Sequence, residues 1–241
     1  MIAERRAHGI DGDDLLSLLM RAQDAGVPMT DEQVRDEAVT IFLAGHETTA
    51  NALTWTWLLL SEHPDAHERL DDPASVEAVL HESMRLYPPA WAIGRRVVQD
   101  HHADGVTIPA GSVVIVSPWL LHHDARWWPD QAAFDPDRWL GRDRTTDQPT
   151  DRPTDRPANR PAERHAYLPF GAGSRMCIGE GFAELEATTL LTTIGRSWRF
   201  ERDAADAVEL QPVVTLRPTD GLRMRARRRA HPGPGTQRGP A

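Results

Sequence analysis

Cys177 is the only cysteine in the chain, and its surroundings decide what its sulfur can do. The stretch Phe170-Gly-Ala-Gly-Ser-Arg-Met-Cys-Ile-Gly179 carries glycines at 171, 173 and 179 and an arginine at 175. It opens into an amphipathic run from Glu180 to Ile194. A thiol on a glycine-permissive loop at the mouth of a helix meets backbone N–H groups and the partial positive charge of the helix N-terminus, both of which favour ionised sulfur. Three roles are open to it: a small buried hydrophobe, a nucleophile needing a histidine and an orienting partner, or an axial ligand to haem iron.

Two further groups could do chemistry. Ala44-Gly-His-Glu-Thr-Thr49 sits in the middle of a long helical pattern. Glycine there costs about 1 kcal/mol relative to alanine, but the missing side chain lets a flat ligand approach the backbone. Thr48 can turn its hydroxyl onto the carbonyl of Ala44 and bend the helix. Glu47, an acid beside a hydroxyl in apolar surroundings, is suited to a proton relay; the alternative is plain helix packing. His46-Glu47 does not complete the H-E-x-x-H zinc pattern, because the fifth position is Ala50. The second group is Glu82 and Arg85, three apart on one helix face, a spacing that usually gives a solvated surface bridge.

The positioning elements follow from pattern. Thr30 and Gln33 form a capping box that starts a helix running to about Glu62, ended by Pro64 and apolar on most sides, as for a helix that crosses a core. A short helix over Asp13–Gln23 precedes it, with Leu15, Leu16, Leu19 and Met20 on its apolar face. Another covers Ser75 to Tyr87 and stops at Pro88-Pro89. Strands are expected at Arg95–Val98, Val106–Ile108, Ser112–Ser117, Trp198–Glu201, Val208–Leu210, Val213–Leu216 and Leu222–Ala226. After Cys177 the helix should turn Phe182, Leu185, Leu190 and Ile194 inward. The fold class is mainly α with small β-sheets.

Together these motifs resemble the cytochromes P450. F-G-x-G-x-R-x-C-x-G is similar to the haem loop of that family, A-G-x-E-T-T to its oxygen-side helix, E-x-x-R to its second signature and Pro136-Asp-Arg138-Trp139 to its third, in the family's order. The resemblance implies that Cys177 ligates haem b, with Phe170, Gly171, Gly179, Ala44 and Gly45 against the cofactor and Arg95 and Arg175 on its propionates. It implies that Glu47 and Thr48 steer protons to dioxygen, and that Glu82, Arg85 and Arg138 form a buried structural set. Phe42, Trp91, Ile93 and Val214 would face an apolar substrate. The activity implied is a monooxygenase that puts one atom of O2 into a small apolar molecule. Electrons would come from NAD(P)H through a separate donor such as ferredoxin and its reductase, since no flavin, iron–sulfur or nicotinamide motif occurs. Other readings are a peroxide-driven haem-thiolate enzyme, against which the Glu47–Thr48 pair argues, and an inactive or haem-free fragment. The resemblance covers only the C-terminal part of that fold, so the N-terminal half is expected to be missing.

Composition limits the partners. The 241 residues are 40% hydrophobic and 26% charged, with formal net charge −9, which argues against nucleic acid. All 27 basic residues are arginine. A single cysteine permits no internal disulfide. No 18-residue apolar run and no signal-peptide pattern occur, so a cytoplasmic protein without a membrane span is expected. The pairs His101-His102, His122-His123 and His63/His67 lack a four-ligand set and are read as exposed. Residues 1–226 form the expected P450 portion, with 142–165, a charged four-residue Pro repeat, as a disordered insertion; 227–241 is expected to be a disordered basic tail.

Overall fold

The computed structural model describes residues 1–9, 12–24, 26–140, 166–202 and 208–229. The repeat at 142–165 and most of the basic tail therefore lie outside the described residues. The chain divides into two units, Met1–Thr48 and Thr49–Ala241.

The first unit holds α1 (Ile2–His8), α2 (Leu15–Arg21), an antiparallel ribbon of β1 (Gln23–Asp24) and β2 (Val27–Pro28), and the start of α3 (Asp31–Glu62). Asp14 caps α2 by accepting from the Ser17 N–H at 3.2 Å. The Arg5 guanidinium beside it holds the Asp14 carboxyl down at about 2. The predicted capping box forms: Thr30 N–H donates to Gln33 Oε1 at 2.9 Å, and Gln33 N–H to Thr30 Oγ1 at 3.2 Å. On α2 the buried positions are Ser17 and Met20, and Leu15 is exposed.

The second unit continues α3 and adds α4 (Pro64–Glu68), α5 (Pro73–Leu86), β3 (Ile93–Arg96), β4 (His101–Ala103), β5 (Val106–Ile108), β6 (Val113–Val116) and α6 (Pro118–His122). After a 3-10 turn at Pro136–Trp139 come α7 (Glu180–Ser197), β7 (Trp198–Glu201), β8 (Leu210–Pro212), β9 (Leu216–Pro218) and β10 (Arg225–Arg228). Strands pair in antiparallel twos: β3 with β6, β4 with β5, β7 with β10 and β8 with β9. The core joins α3, α5 and α7 through Leu60, Leu70, Val79, Leu80, Met84, Ala187 and Leu191. A second cluster sets Trp55, Leu58 and Leu216 against Tyr87 and Trp91.

Several expectations change. Before Thr49 only Val34 of α3 is buried; Val39, Phe42 and Leu43 are exposed. On α7, Phe182 and Leu185 are also exposed, and the inward stripe is Ala187, Leu191 and Gly195. Small residues win that face because α7 lies so close to its neighbours: a Cβ added at Gly195 would sit 2.5 Å from Leu70 Cδ1. Val213-Val214 is a turn rather than a strand. Val213 N–H donates within the turn to Gln211 O and Thr215 O, while Trp91 Nε1–H holds Val213 O at 2.9 Å and Leu216 N–H reaches Pro89 O at 2.9 Å. These contacts override the β-propensity of the valines. The last strand reaches Arg228, two residues into the expected tail.

The histidines are corrected as well. His122 and His67 are buried, at 0% and 1% exposure, while His101 and His102 are exposed. Burial pushes His122 down to about 3, and burial followed by the charges of Arg229 and Arg199 lowers His67. No group of three or more metal-ligating side chains occurs among the described residues.

Two outcomes are expected. Unfolded His122 takes a proton below its ordinary value of 6.5, whereas folded His122 stays neutral to about 3. Unfolding free energy should therefore fall as pH drops from about 6.5, by up to ~1.4 kcal/mol per pH unit for each such histidine. Carboxylates add their effect mainly below about pH 5, so urea titrations between about pH 7 and 5.5 isolate the histidines; a flat profile there contradicts their burial. Second, Gly195→Ala should lower the thermal midpoint. Overpacking costs about 1–3 kcal/mol, against about 1 kcal/mol gained in helix propensity; a raised midpoint would mean Leu70 gives way freely.

Candidate active site

The cysteine loop is shaped by two left-handed residues, Gly171 at φ 75° and Gly173 at φ 74°, which side-chain-bearing residues adopt at a cost. Leu168 O accepts the Gly171 N–H at 3.2 Å, and Phe170 O accepts the Cys177 N–H at 2.9 Å, so the loop closes on itself. A one-turn 3-10 helix at Gly173–Arg175 carries the chain round to the sulfur. Gly179 then caps α7. The sulfur is a free thiol and exposed, which removes the buried-hydrophobe role. Phe170 packs against the core cluster and so anchors the start of the loop.

β3 lies against this loop. Ile93 Cδ1 comes within 3.5 Å of the place a Cβ would take on Gly171. Arg95 Nη2 donates to Arg175 O at 3.4 Å. Ile93, Arg95, Phe170, Gly171, Arg175, Cys177 and Gly179 are thus brought together, as their motifs require. Trp91 joins them one residue pair upstream, tied by its indole to the turn that bears Val214, itself 89% exposed.

The residues on α3 form a separate group in the first unit. Thr48 Oγ1–H donates to Ala44 O at 2.6 Å, the predicted back-bond. It is not special to this site, since Thr54 and Thr56 do the same to Ala50 and Ala52, and α3 stays continuously helical through Gly45. A Cβ on Gly45 would meet nothing within 4 Å, so the backbone there is open to a ligand. Ala44 is exposed, Glu47 and Thr48 are half-buried, and Phe42 stacks on His46 at 5.8 Å.

Glu82 and Arg85 are both completely buried, so the surface-bridge alternative falls. Arg85 Nε and Nη2 form a two-pronged bond with the Glu82 carboxylate, each at 2.9 Å. Its remaining N–H groups reach the carbonyls of His122, Gln131 and Ala133 at 2.8–3.0 Å. Glu82 also accepts from Asp135 N–H at 3.0 Å, Arg138 Nε at 3.2 Å and Trp139 Nε1 at 2.9 Å. The guanidinium lies 5.3 Å from the Trp128 ring. Sequence reasoning missed Trp128, Tyr167 and His122; an aromatic and a histidine spaced through 122–139 were the available signal.

The residues present fit a haem. A free exposed sulfur stands on a loop opened by left-handed glycines, and neither Arg95 nor Arg175 has a carboxylate partner among the described residues. Apolar Met176 and Ile178, 51% and 100% exposed, flank the sulfur in sequence. Such a set suits a flat apolar group with an iron at its centre and acids at its edge.

The family model for cytochrome P450 matches residues 2–72 and 75–222, and the chain belongs to the cytochrome P450 family. It is 38% identical to the putative cytochrome P450 132 of Mycobacterium tuberculosis, over 95% of this chain and 50% of that protein. It is 36% identical to cyclooctatin synthase of Streptomyces melanosporofaciens, over 86% of this chain and 46% of the other. Among solved structures, a cyanobacterial P450 with retinoic acid bound matches with TM-score 0.79 at 27% identity, over 94% of this chain and 53% of that one. The chain spans about half the length of the curated relatives it matches.

Removing Arg85 by Arg85→Ala would leave a buried carboxylate and three carbonyls without their partner. The expected loss is about 3–5 kcal/mol, a large part of a typical 5–15 kcal/mol total. Arg85→Lys should also destabilise, because an ammonium cannot reproduce the fork. Urea midpoints check both; a loss below 1 kcal/mol for Arg85→Ala would show that the set is not structural.

Proposed function

We propose that this chain carries the haem-binding loop and the oxygen-side helix of a haem-thiolate monooxygenase. The observation that carries the reading is the one free sulfur, Cys177, exposed on a glycine-shaped loop that its own N–H closes onto Phe170. Haem b held by Cys177 supplies the iron that activates O2 and, through its thiolate, favours O–O cleavage. The chain's own residues do the rest. Cys177 offers its sulfur from the mouth of α7. Arg95 and Arg175 offer guanidinium groups to carboxylates at the cofactor's edge. Gly45 leaves room along α3 for a flat ring. With its O–H turned onto Ala44, Thr48 Oγ1 keeps lone pairs with which to accept a hydrogen bond from a water or an oxygen ligand. Glu47, the neighbouring acid, supplies or relays the proton. Glu82, Arg85 and Arg138 fix, from within the core, the segment that follows α6.

One oxygen atom from O2 would enter a small apolar substrate as a hydroxyl and the other leave as water with two protons, the two electrons reaching the site from NAD(P)H through a ferredoxin-type donor. Relatives named as a monooxygenase and an oxygenase support the reaction class. Phe42, Trp91, Ile93 and Val214 supply apolar surface for the substrate. No helix of the described residues is long and apolar enough to cross a membrane, in keeping with a cytoplasmic enzyme.

The test uses the full chain expressed with haem available. After reduction and carbon monoxide addition, the Soret band should lie at the red-shifted position of thiolate-ligated haem. Cys177→Ser should abolish the shift, and a shift that survives it would refute the ligand assignment. Absence of haem from the purified wild-type chain would favour the haem-free alternative.

A further inference from the structure

The segment that leads into the cysteine loop is clamped at three successive residues. Ala166 O accepts from Trp128 Nε1 at 3.3 Å. The Tyr167 hydroxyl lies 3.1 Å from both His81 O and His81 Nδ1. Leu168 N–H donates to His122 Nε2 at 2.9 Å. From Leu168 the hydrogen-bonding continues into the loop, because Leu168 O accepts the Gly171 N–H.

Trp128 also meets Arg85, through its ring face at 5.3 Å, but His122 is hydrogen-bonded at both ends. Its backbone carbonyl accepts Arg85 Nη1 at 3.0 Å, so one residue touches both the buried Glu82–Arg85 set and the segment bearing the loop. It is 0% exposed, and its ring packs 5.1 Å from Tyr167. Without that acceptor the half-buried Leu168 N–H loses its partner in the fold. Burial of the His122 ring, with the charges of Arg85 and His123 adding to it, keeps the imidazole neutral and its Nε2 lone pair available.

We infer that His122 is a positioning residue for Cys177: it ties the buried Glu82–Arg85 set to the loop, and so fixes where the sulfur stands. For its functional meaning this rests on Cys177 being a haem ligand; for its geometry it does not. The imidazole touches neither cofactor nor substrate, and acts through Leu168.

The experiment compares His122→Phe, which fills the site without an acceptor, with His122→Gln, whose Oε1 can still accept. Leu216→Ala serves as a control, a core truncation in the other cluster that leaves this clamp intact. In the haem-free full chain, Leu168 should be among the slowest-exchanging amides of 166–179. Its exchange should rise about tenfold in His122→Phe, and remain near wild type in His122→Gln and Leu216→Ala. A nitroxide on Cys177, the only thiol, should become more mobile in His122→Phe alone. In the haem-loaded chain, His122→Phe should convert part of the red-shifted carbonyl band to the unshifted band of a lost or protonated thiolate, with rescue in His122→Gln. Fast Leu168 exchange in the wild type overturns the inference, even if His122→Phe does not fold. Equal effects of His122→Phe and Leu216→Ala on the nitroxide also overturn it. If exchange and nitroxide behave as expected but no haem binds, the positioning role stands and the haem-ligand reading falls.

Discussion

A carboxylate with no solvent has to be satisfied from within, and Glu82 is satisfied by five N–H groups from Arg85, Asp135, Arg138 and Trp139. Arg85 in turn spends all five of its N–H groups on Glu82, on the carbonyl of His122 at the end of α6 and on those of Gln131 and Ala133 in the irregular segment that follows. Neither residue can be moved without stranding the other's partners in a medium that cannot solvate them. Such a set adds little net stability compared with apolar packing, but it specifies geometry. Residues 122–139 contain only a short 3-10 turn, and their carbonyls and the Asp135 amide find partners on α5. A loop of that length keeps one conformation because two charges demand it.

The consequence is felt at the cysteine. The loop from Phe170 to Cys177 has few contacts of its own. Its shape comes from two left-handed glycines and three backbone bonds, and its exposed face is glycine, arginine and apolar side chain. Its entrance, Ala166 to Leu168, is held by Trp128, His81 and His122, all of which stand on or beside the elements that the Glu82–Arg85 set fixes. The order of dependence runs from a buried ion pair, through a meander of carbonyls, to a sulfur at the surface. The entrance is held while the sulfur itself stays exposed.

On α3 the division is different. From Thr49 onward its side chains build the core: Trp55 gives its indole N–H to Leu216 O at 3.0 Å, and Thr56 Oγ1 meets Ser83 Oγ at 2.9 Å. Before that point Phe42, Leu43 and Gly45 face outward, and the backbone at Gly45 is open. One helix therefore serves as scaffold at one end and as apolar surface at the other. That explains its hydrophobic residues on nearly every side, a pattern the periodicity alone assigns to a buried helix.

The sequence by itself determined the capping box at Thr30, the helix ends at Pro64 and Pro88, the glycines that shape the cysteine loop, the Thr48 back-bond and the pairing of Glu82 with Arg85. Each is local: a spacing of three or four residues, or a backbone conformation only glycine adopts easily, is written in the order of residues. Tertiary structure alone decided the rest. Which face of α7 turns inward depends on how near Leu70 lies, so small Ala187 and Gly195 displaced the larger Phe182 and Leu185 that hydrophobicity favoured. Val213-Val214 became a turn because Trp91 and Pro89 hold the backbone beside them. His122 became buried and neutral because Arg85 and Leu168, distant in sequence, close around it. Long-range contacts of this kind leave no periodic trace, and only the folded chain shows which of two histidines in a row carries the clamp.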